Sequence, residues 1–483
     1  MELINCAQPW FEMQIEYNER VGCCCYYRLE KTPLNLNVPF SVDKYWNDEK
    51  MQEIRKVIAS NNIAGTGCEG CQYIRYGSAS SFLDIPDSLN QTQKDNWLNA
   101  LNNYRDKRII IDSLPVKYYI NFGLLCNLKC IMCSQENLRR IDKRLLPAEM
   151  LTGLKEHLVV ANEIAIIGGE PFSLPNARAF IDTIVSDHNY SNVKLSLFTN
   201  GTQLHHYIEK LRSMKRINLC VSLDSIGDAY EKIRRGARWN RTEQNIMSFK
   251  ETAEKYNLDW TVNIAAVVMK SSIPRLVDFV DWCIKRDFPV HFVPIQPQAL
   301  QPQGFSFREE IFKYPELLKD IPNWEGLFNE AIEKLTEKSW IQGAVKPLSL
   351  MKNEIKAREL NLKGEDLFSG GDIEGAMRLF AEAERKDPHY LLTYNNIGVI
   401  YWQKGESTTA LRYFINVLKE DPNNREATLN CGILLKSMGE FEDAERLCSA
   451  YLRNHPDDRE ITAALQKNYS DASYTGYHET CQP

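Results

Sequence analysis

Three cysteines, Cys126, Cys130 and Cys133, fall inside eight positions of the stretch NFGLLCNLKCIMCSQEN. Thiolates at this CxxxCxxC spacing can hold three corners of a cubic 4Fe–4S cluster. No fourth protein ligand stands nearby, so one iron would stay open to an outside ligand, whereas a structural zinc site calls for four. Three short motifs follow in order: GGEP at Gly168 to Pro171, TNGT at Thr199 to Thr202, and SLDS at Ser222 to Ser225. Paired glycines permit close backbone approach. A glutamate beside them can accept a charge-assisted hydrogen bond from an ammonium group. Alone, GGEP could be an ordinary turn and SLDS an ordinary strand end; their order along the chain is what points to a shared site.

The elements that must position these residues are legible as β-rich runs at 116–123, 163–169, 193–200, 216–224, 260–269 and 290–296. Helical stretches such as 147–160 and 203–214 lie between them. Strand–helix alternation implies an α/β class with a parallel sheet and covering helices. Six units over 113–300 fit a partial (β/α)6 barrel of the TIM type, with chemistry at the C-terminal strand ends. The cysteine triad follows the first strand, and GGEP, TNGT and SLDS end the second, third and fourth. Strand alternation puts Cys220, Ser222 and Asp224 on one face.

With these motifs in order, the middle of the chain resembles the radical S-adenosylmethionine (SAM) superfamily. The resemblance implies that Cys126, Cys130 and Cys133 hold a 4Fe–4S cluster whose fourth iron is chelated by SAM. It also implies reductive cleavage of SAM to a 5′-deoxyadenosyl radical that takes a hydrogen atom from a substrate, with the cofactor carrying the hard chemistry. It places Met132, Gly168, Gly169, Glu170, Asn200, Ser222 and Asp224 around SAM. Glu170 corresponds to the amino-group contact, and Ser222 and Asp224 to contacts with the carboxylate and ribose. Met132 departs from the pattern, standing where relatives carry an aromatic on the adenine; a thioether can also pack on such a ring. The segment YEKIRRG, Tyr230 to Gly236, is seen in peptide-modifying relatives.

Residues 1–85 hold a second group of cysteines: Cys6, the run Cys23, Cys24 and Cys25, then Cys68 and Cys71 in CEGC. With the Pro-Trp pair after Cys6, the segment DKYWNDEKMQEIRKVI and the closing CxxC, this region resembles the auxiliary-cluster domain called SPASM, or its shorter twitch form. Relatives carry that domain after the barrel, not before it. The resemblance implies a second 4Fe–4S cluster on Cys6, one of Cys23 to Cys25, Cys68 and Cys71, with Val21-Gly22 favouring Cys23. Zinc on the same four thiols is the alternative. Residues 86–112 read as a connecting helix and 301–356 as a helical linker.

The C-terminal part repeats. Gly364, Gly398 and Gly432 are 34 residues apart, as are Gly371, Gly405 and Gly439, Ala376, Ala410 and Ala444, and Pro388, Pro422 and Pro456. This period matches paired helices of the tetratricopeptide (TPR) kind, three units over 357–458. Proline closes each unit because it cannot continue a helix. Such stacks offer a concave face for a peptide or protein segment; an array that only caps or dimerises the enzyme is the plainer reading. Residues 459–483 read as a closing helix and a disordered tail.

The 483 residues carry 14 cysteines and a net charge of −6, which argues against general nucleic-acid binding. MELINCAQPWFEM lacks the regions of a signal peptide, and IAAVVM, residues 264–269, is too short to span a bilayer. We therefore expect a cytoplasmic protein with reduced cysteines. Cys283, Cys431, Cys448 and Cys481 read as small core residues. Cys220 reads the same way, with a second role open to it: returning a hydrogen atom to a substrate radical. The leading expectation is a peptide or protein maturase served by a reductant such as flavodoxin or ferredoxin. The alternatives are an enzyme acting on a sugar or nucleotide, with the repeats binding a partner, and an inactive scaffold.

Overall fold

The structure is a computed structural model that describes residues 6–24, 31–35, 39–63, 66–68, 71, 82–295 and 307–466. Cys25, Cys481, the expected tail and most of the segment joining the sixth strand to the linker lie outside the described residues. The chain divides into two compact units, one of residues 1–310 and 320–349, the other of 311–319 and 350–483.

In the first unit the strands are β1 (Glu12–Glu16), β2 (Arg20–Gly22), β3 (Thr32–Pro33), β4 (Lys117–Asn121), β5 (Lys129–Cys130), β6 (Glu163–Ile167), β7 (Lys194–Thr199), β8 (Arg216–Ser222), β9 (Arg234–Arg235), β10 (Asp259–Val268) and β11 (Val290–Pro294). The nine-stranded sheet runs β11-β10-β8-β7-β6-β4-β1-β2-β3. Its six strands from β4 to β11 are those expected from sequence, all parallel and neighbours in chain order. The core is thus the α/β partial barrel, with Ile164, Ile166, Leu195, Leu197, Leu219 and Val221 fully buried.

The N-terminal region contributes to this same sheet. β1 lies parallel to β4, in register from Glu12 opposite Lys117 to Glu16 opposite Asn121. β2 and β3 add antiparallel beyond it. Helix Glu49–Ala59 starts on Asp48, whose side chain accepts from Met51 N at 2.8 Å. It buries Met51, Ile54, Arg55 and Ile58, the stripe spacing of a helix packed on one face. Trp46 Nε1 donates to Ser113 O at 2.8 Å, tying this region to the chain entering β4.

Two expected helices are shorter than their sequence pattern. Residues 148–154 form a 3₁₀ segment followed by one α turn, and in 203–214 only Leu204–His206 and Ile208–Leu211 are helical. Tertiary contact decides the first case. Gly153 lies so close to the Phe40 carbonyl that a Cβ there would collide with it, so the backbone follows its neighbour.

From residue 350 on, the second unit pairs the remainder of helix Val345–Ser369 with Ile373–Lys386, Leu391–Gln403 with Ser407–Glu420, and Arg425–Ser437 with Phe441–Leu452, ending on Arg459–Gln466. The 34-residue spacing has a direct cause. Cβ atoms on Gly364, Gly398 and Gly432 would run into Phe380, Phe414 and Cys448, each sixteen residues on in the next helix. Ala376, Ala410 and Ala444 are fully buried at the same crossings.

Candidate active site

The loop after β4 carries the triad, and the two glycines that end β6 bring the strand ends together around it. Gly168 has φ +119°, and a Cβ there would collide with Asn121 Oδ1; on Gly169 it would collide with the Leu125 carbonyl. Gly169 N donates to Gly123 O at 2.9 Å and Glu170 N to Leu125 O at 2.8 Å. The close approach that the glycines permit is therefore to the loop immediately preceding Cys126.

Glu170 is fully buried. Its Oε1 accepts from Thr199 Oγ1 at 2.8 Å and from Phe172 N at 3.3 Å, and its Oε2 from Asn200 N at 2.8 Å. Burial raises its carboxyl to about 7 against the pull of these donors. In this arrangement the glutamate clamps the end of β6 to the end of β7. Asn200 carries the clamp onward, donating from Nδ2 to Asn127 Oδ1 at 2.9 Å and reaching Cys126 Sγ at 3.8 Å. Leu128 N also points at Cys126 Sγ, at 3.5 Å.

A second chain of contacts reaches Cys130. β5 pairs antiparallel with β9, setting Cys130 opposite Arg234. Arg234 Nη1 lies 3.8 Å from Cys130 Sγ, and its Nε forms an ion pair at 2.9 Å with Asp224, whose Oδ1 accepts from Val267 N. Burial pushes the Cys130 thiol up to about 11, with Arg234 pulling it down. The sequence motif YEKIRRG contained Arg234, but no spacing rule assigns it to a thiol and a carboxylate at once. Cys126 and Cys133 are half-buried while Cys130 is buried. Met132 and Ser222 are half-buried.

N–H donors on two sulfurs and a cation on one suit thiolates that share the negative charge of a cluster. The donor set thus fits a cluster with one open corner, and the half-exposed loop leaves access to it. Among the described residues, no three Cys, His, Asp or Glu side chains are already gathered as tightly as ligands around an ion. In the N-terminal group, Cys6, Cys23, Cys24, Cys68 and Cys71 are all buried. Cys6 feels the charges of Cys24, Cys71 and Cys68, and Cys23 hydrogen-bonds to Cys24.

Within the sheet, Cys220 lies on β8, half-buried, its thiol raised to about 11 by burial. Below it a buried ionic group has no counterpart among the sequence expectations. Glu163 Oε1 meets Lys117 Nζ at 3.0 Å, and Oε2 meets Lys194 Nζ at 2.9 Å, while Ser196 Oγ donates to Oε1 at 2.7 Å. In the repeat unit, Asn396 donates to Asn361 and Glu365, and Asn430 donates to Asn395, forming a ladder of buried amides. Among the described residues, no helix is long and apolar enough to cross a membrane.

Residues 120–267 match the family described as the radical SAM superfamily, and residues 401–467 match the tetratricopeptide repeat. The probable GTP 3′,8-cyclase of Methanococcus aeolicus is 30% identical over 176 residues, which cover 36% of this chain and 56% of that protein. The GTP 3′,8-cyclase of Nitrobacter winogradskyi is 31% identical over 185 residues, covering 36% and 51%. The chain spans about half the length of these curated relatives. Among solved structures, Streptococcus suis SuiB bound to S-adenosylmethionine is 19% identical, covers 52% of this chain and 56% of its own, and has a TM-score of 0.33.

Proposed function

We infer the function from the radical SAM domain and the tetratricopeptide repeats that this chain carries: it is an enzyme that cleaves SAM reductively and removes a hydrogen atom from a peptide or protein substrate, modifying it after synthesis. The observation that carries the reading is the pair of contact chains from strand ends to thiols, Glu170–Asn200–Cys126 and Asp224–Arg234–Cys130. They hold a three-cysteine loop at the strand ends where such a barrel does its chemistry. When bound, the cluster and SAM would supply an electron and the radical-forming cleavage. The chain's own residues hold, orient and shield. Cys126, Cys130 and Cys133 would take three irons. Asn200, the Leu128 N–H and Arg234 would stabilise the sulfur charge. Gly168, Gly169, Ser222, Asp224 and Met132 would surround SAM, and Glu170 keeps the β6 and β7 ends in place. Cys220, kept as S–H by its burial, could return a hydrogen atom.

The repeats favour a peptide or protein substrate, since a TPR stack offers a face for a peptide segment. The N-terminal cysteines would hold a second, closed 4Fe–4S centre of the SPASM or twitch type, and a flavodoxin or ferredoxin would supply electrons. A second reading, action on a small molecule such as a nucleotide or sugar, is favoured by the likeness to the GTP 3′,8-cyclases. The experiment is anaerobic reconstitution followed by 5′-deoxyadenosine assays with candidate peptides, GTP and sugar nucleotides, with and without residues 357–458. Peptide turnover that disappears with the repeats is expected. Turnover of GTP or a sugar nucleotide that is indifferent to the repeats would transfer the case to the second reading.

A further inference from the structure

β5 and β9 pair as a two-stranded antiparallel ribbon, with Cys130 opposite Arg234 and Lys129 opposite Arg235. Successive side chains of a strand point to opposite faces, and burial follows that rule: Cys130 and Arg234 are buried, Lys129 and Arg235 exposed. One face of the ribbon therefore holds a triad thiol with its cation, and the other presents two cations to solvent. Like charges set opposite each other in an antiparallel pair are unfavourable, so an anionic partner laid across Lys129 and Arg235 would relieve the ribbon. The flanking chain is basic as well. Residues 127–144 hold five Lys and Arg against two Asp and Glu, and residues 231–241 hold five against one, in a chain whose net charge is −6. Glu136, Asp142 and Glu231 answer Arg140, Arg144 and Arg238. Lys129 has no carboxylate at ion-pairing distance among the described residues. Gly236, at φ +101°, turns the chain beside Leu128. Beyond that turn Arg238, Arg241, His205 and His206 line a polar cavity of about 250 Å³ with Asn127, the neighbour of Cys126.

We propose that the outer face of the β5–β9 ribbon, centred on Lys129 and Arg235, is the docking surface for an acidic protein that carries single electrons. The proposal rests on the reading of the triad as a cluster site and adds to it a surface and the chemistry of its partner. Charge supplies the attraction: a basic face on an acidic chain draws a partner of opposite sign and orients it on encounter. Position selects the occupant. A carrier seated on Lys129 and Arg235 is separated from Cys130 by the ribbon alone. An acidic substrate segment would feel the same charge, but nothing in its chemistry calls for a seat against a thiol-bearing strand. In the transfer the carrier is oxidised by one electron and the cluster on the triad reduced by one, with no bond made or broken at the surface.

The test uses the full-length chain with its triad intact and an acidic flavodoxin as the probe. Flavodoxin binding is measured by isothermal titration calorimetry at low salt and at about 0.3 M NaCl, where exposed charges are screened. SAM cleavage to 5′-deoxyadenosine is then driven either by reduced flavodoxin or by dithionite, a small reductant that needs no docking surface, and iron is counted in every variant. Lys129→Glu with Arg235→Glu should weaken flavodoxin binding about tenfold and slow flavodoxin-driven cleavage alike, with dithionite-driven cleavage and iron content unchanged. Lys129→Gln with Arg235→Gln, which removes the charge without reversing it, should lose about threefold, and salt should weaken the parent similarly. Lys404→Glu with Arg412→Glu, the same reversal on exposed residues of the repeat unit, should change nothing. Flavodoxin affinity unchanged in both ribbon variants would overturn the proposal. So would weakened binding with flavodoxin-driven cleavage unchanged, since electrons would then enter elsewhere. An equal loss with both reductants at unchanged flavodoxin affinity would overturn it too, as damage to the triad loop. If the glutamate variant loses iron, the glutamine variant decides by the same readouts. A parent that fails to cleave SAM even with dithionite counts against the proposed function, and the binding measurement alone then decides the docking surface.

Discussion

The two cysteine groups meet their charge in opposite ways. On the barrel loop, Cys126 and Cys133 are half-exposed, and Arg234, the cation that reaches Cys130 Sγ, is already matched by Asp224 at 2.9 Å. In the N-terminal region every described cysteine of the group is buried, and the buried Arg55 there donates its hydrogen bonds to neutral acceptors. The difference teaches what each site is built for. A pre-neutralised cation leaves the loop free to accept an outside ligand whose charges come in pairs, such as an amino acid end with its ammonium and carboxylate. A buried cation held only by neutral acceptors instead stays fixed in place.

The largest effect should come from replacing Cys126, Cys130 and Cys133 by alanine. We expect 5′-deoxyadenosine formation to vanish and iron to fall from about eight to about four per chain. Iron analysis beside Mössbauer spectra checks it. If all the iron leaves with the triad, the contrast between an open and a closed centre collapses.

A third buried charge, belonging to neither cysteine group, calibrates the comparison. Glu163 lies between Lys117 and Lys194. Burial alone would raise its carboxyl, but the two lysines prevail and hold it at about 2. Glu163→Gln would strand both ammonium groups, and we expect a loss of about 3 kcal/mol in urea unfolding at neutral pH. The sign follows from the depressed value. The folded carboxyl titrates below the unfolded one, so its contribution is present above about pH 4.3 and disappears as pH falls toward 2. The parent and the variant should therefore converge between pH 5 and pH 2, and a gap that stays constant across that window would contradict the account.

How far the sequence carried the reading follows from what each signal is local to. The six barrel strands and the repeats were legible because alternation and a 34-residue period are written in neighbouring residues. The triad was legible because its spacing is short. β1 was not, since its partner β4 lies a hundred residues on and EMQIE is too short to announce a register. Glu163 and Asp224 stand in segments that read as strands, yet nothing local says that their charges are buried and answered from other strands. Arg55 left a faint trace: it occupies a core position of a stripe otherwise filled by Met51, Ile54 and Ile58. A charged residue in such a place is a question that only its neighbours can answer. Arg234 was on the page within YEKIRRG, but its contact with Cys130 depends on β5 and β9 pairing across a hundred residues.

Asp224→Asn offers the smallest and finest test, because it would make the open site resemble the closed one. Asparagine fits the same space and can still accept from Val267 N, so the strand end should hold. Arg234 would lose its ion pair and remain beside Cys130 without a carboxylate. We expect a stability loss of about 2 kcal/mol, measured by urea unfolding. We also expect a fully loaded cluster on the triad and weaker SAM binding by equilibrium dialysis, because Asp224 is placed at the ribose and a neutral amide accepts from its hydroxyls more weakly than a carboxylate. Unchanged SAM affinity at full cluster content would mean that the neutrality of the Asp224–Arg234 pair does not matter to the loop, and that burial alone separates the two cysteine groups.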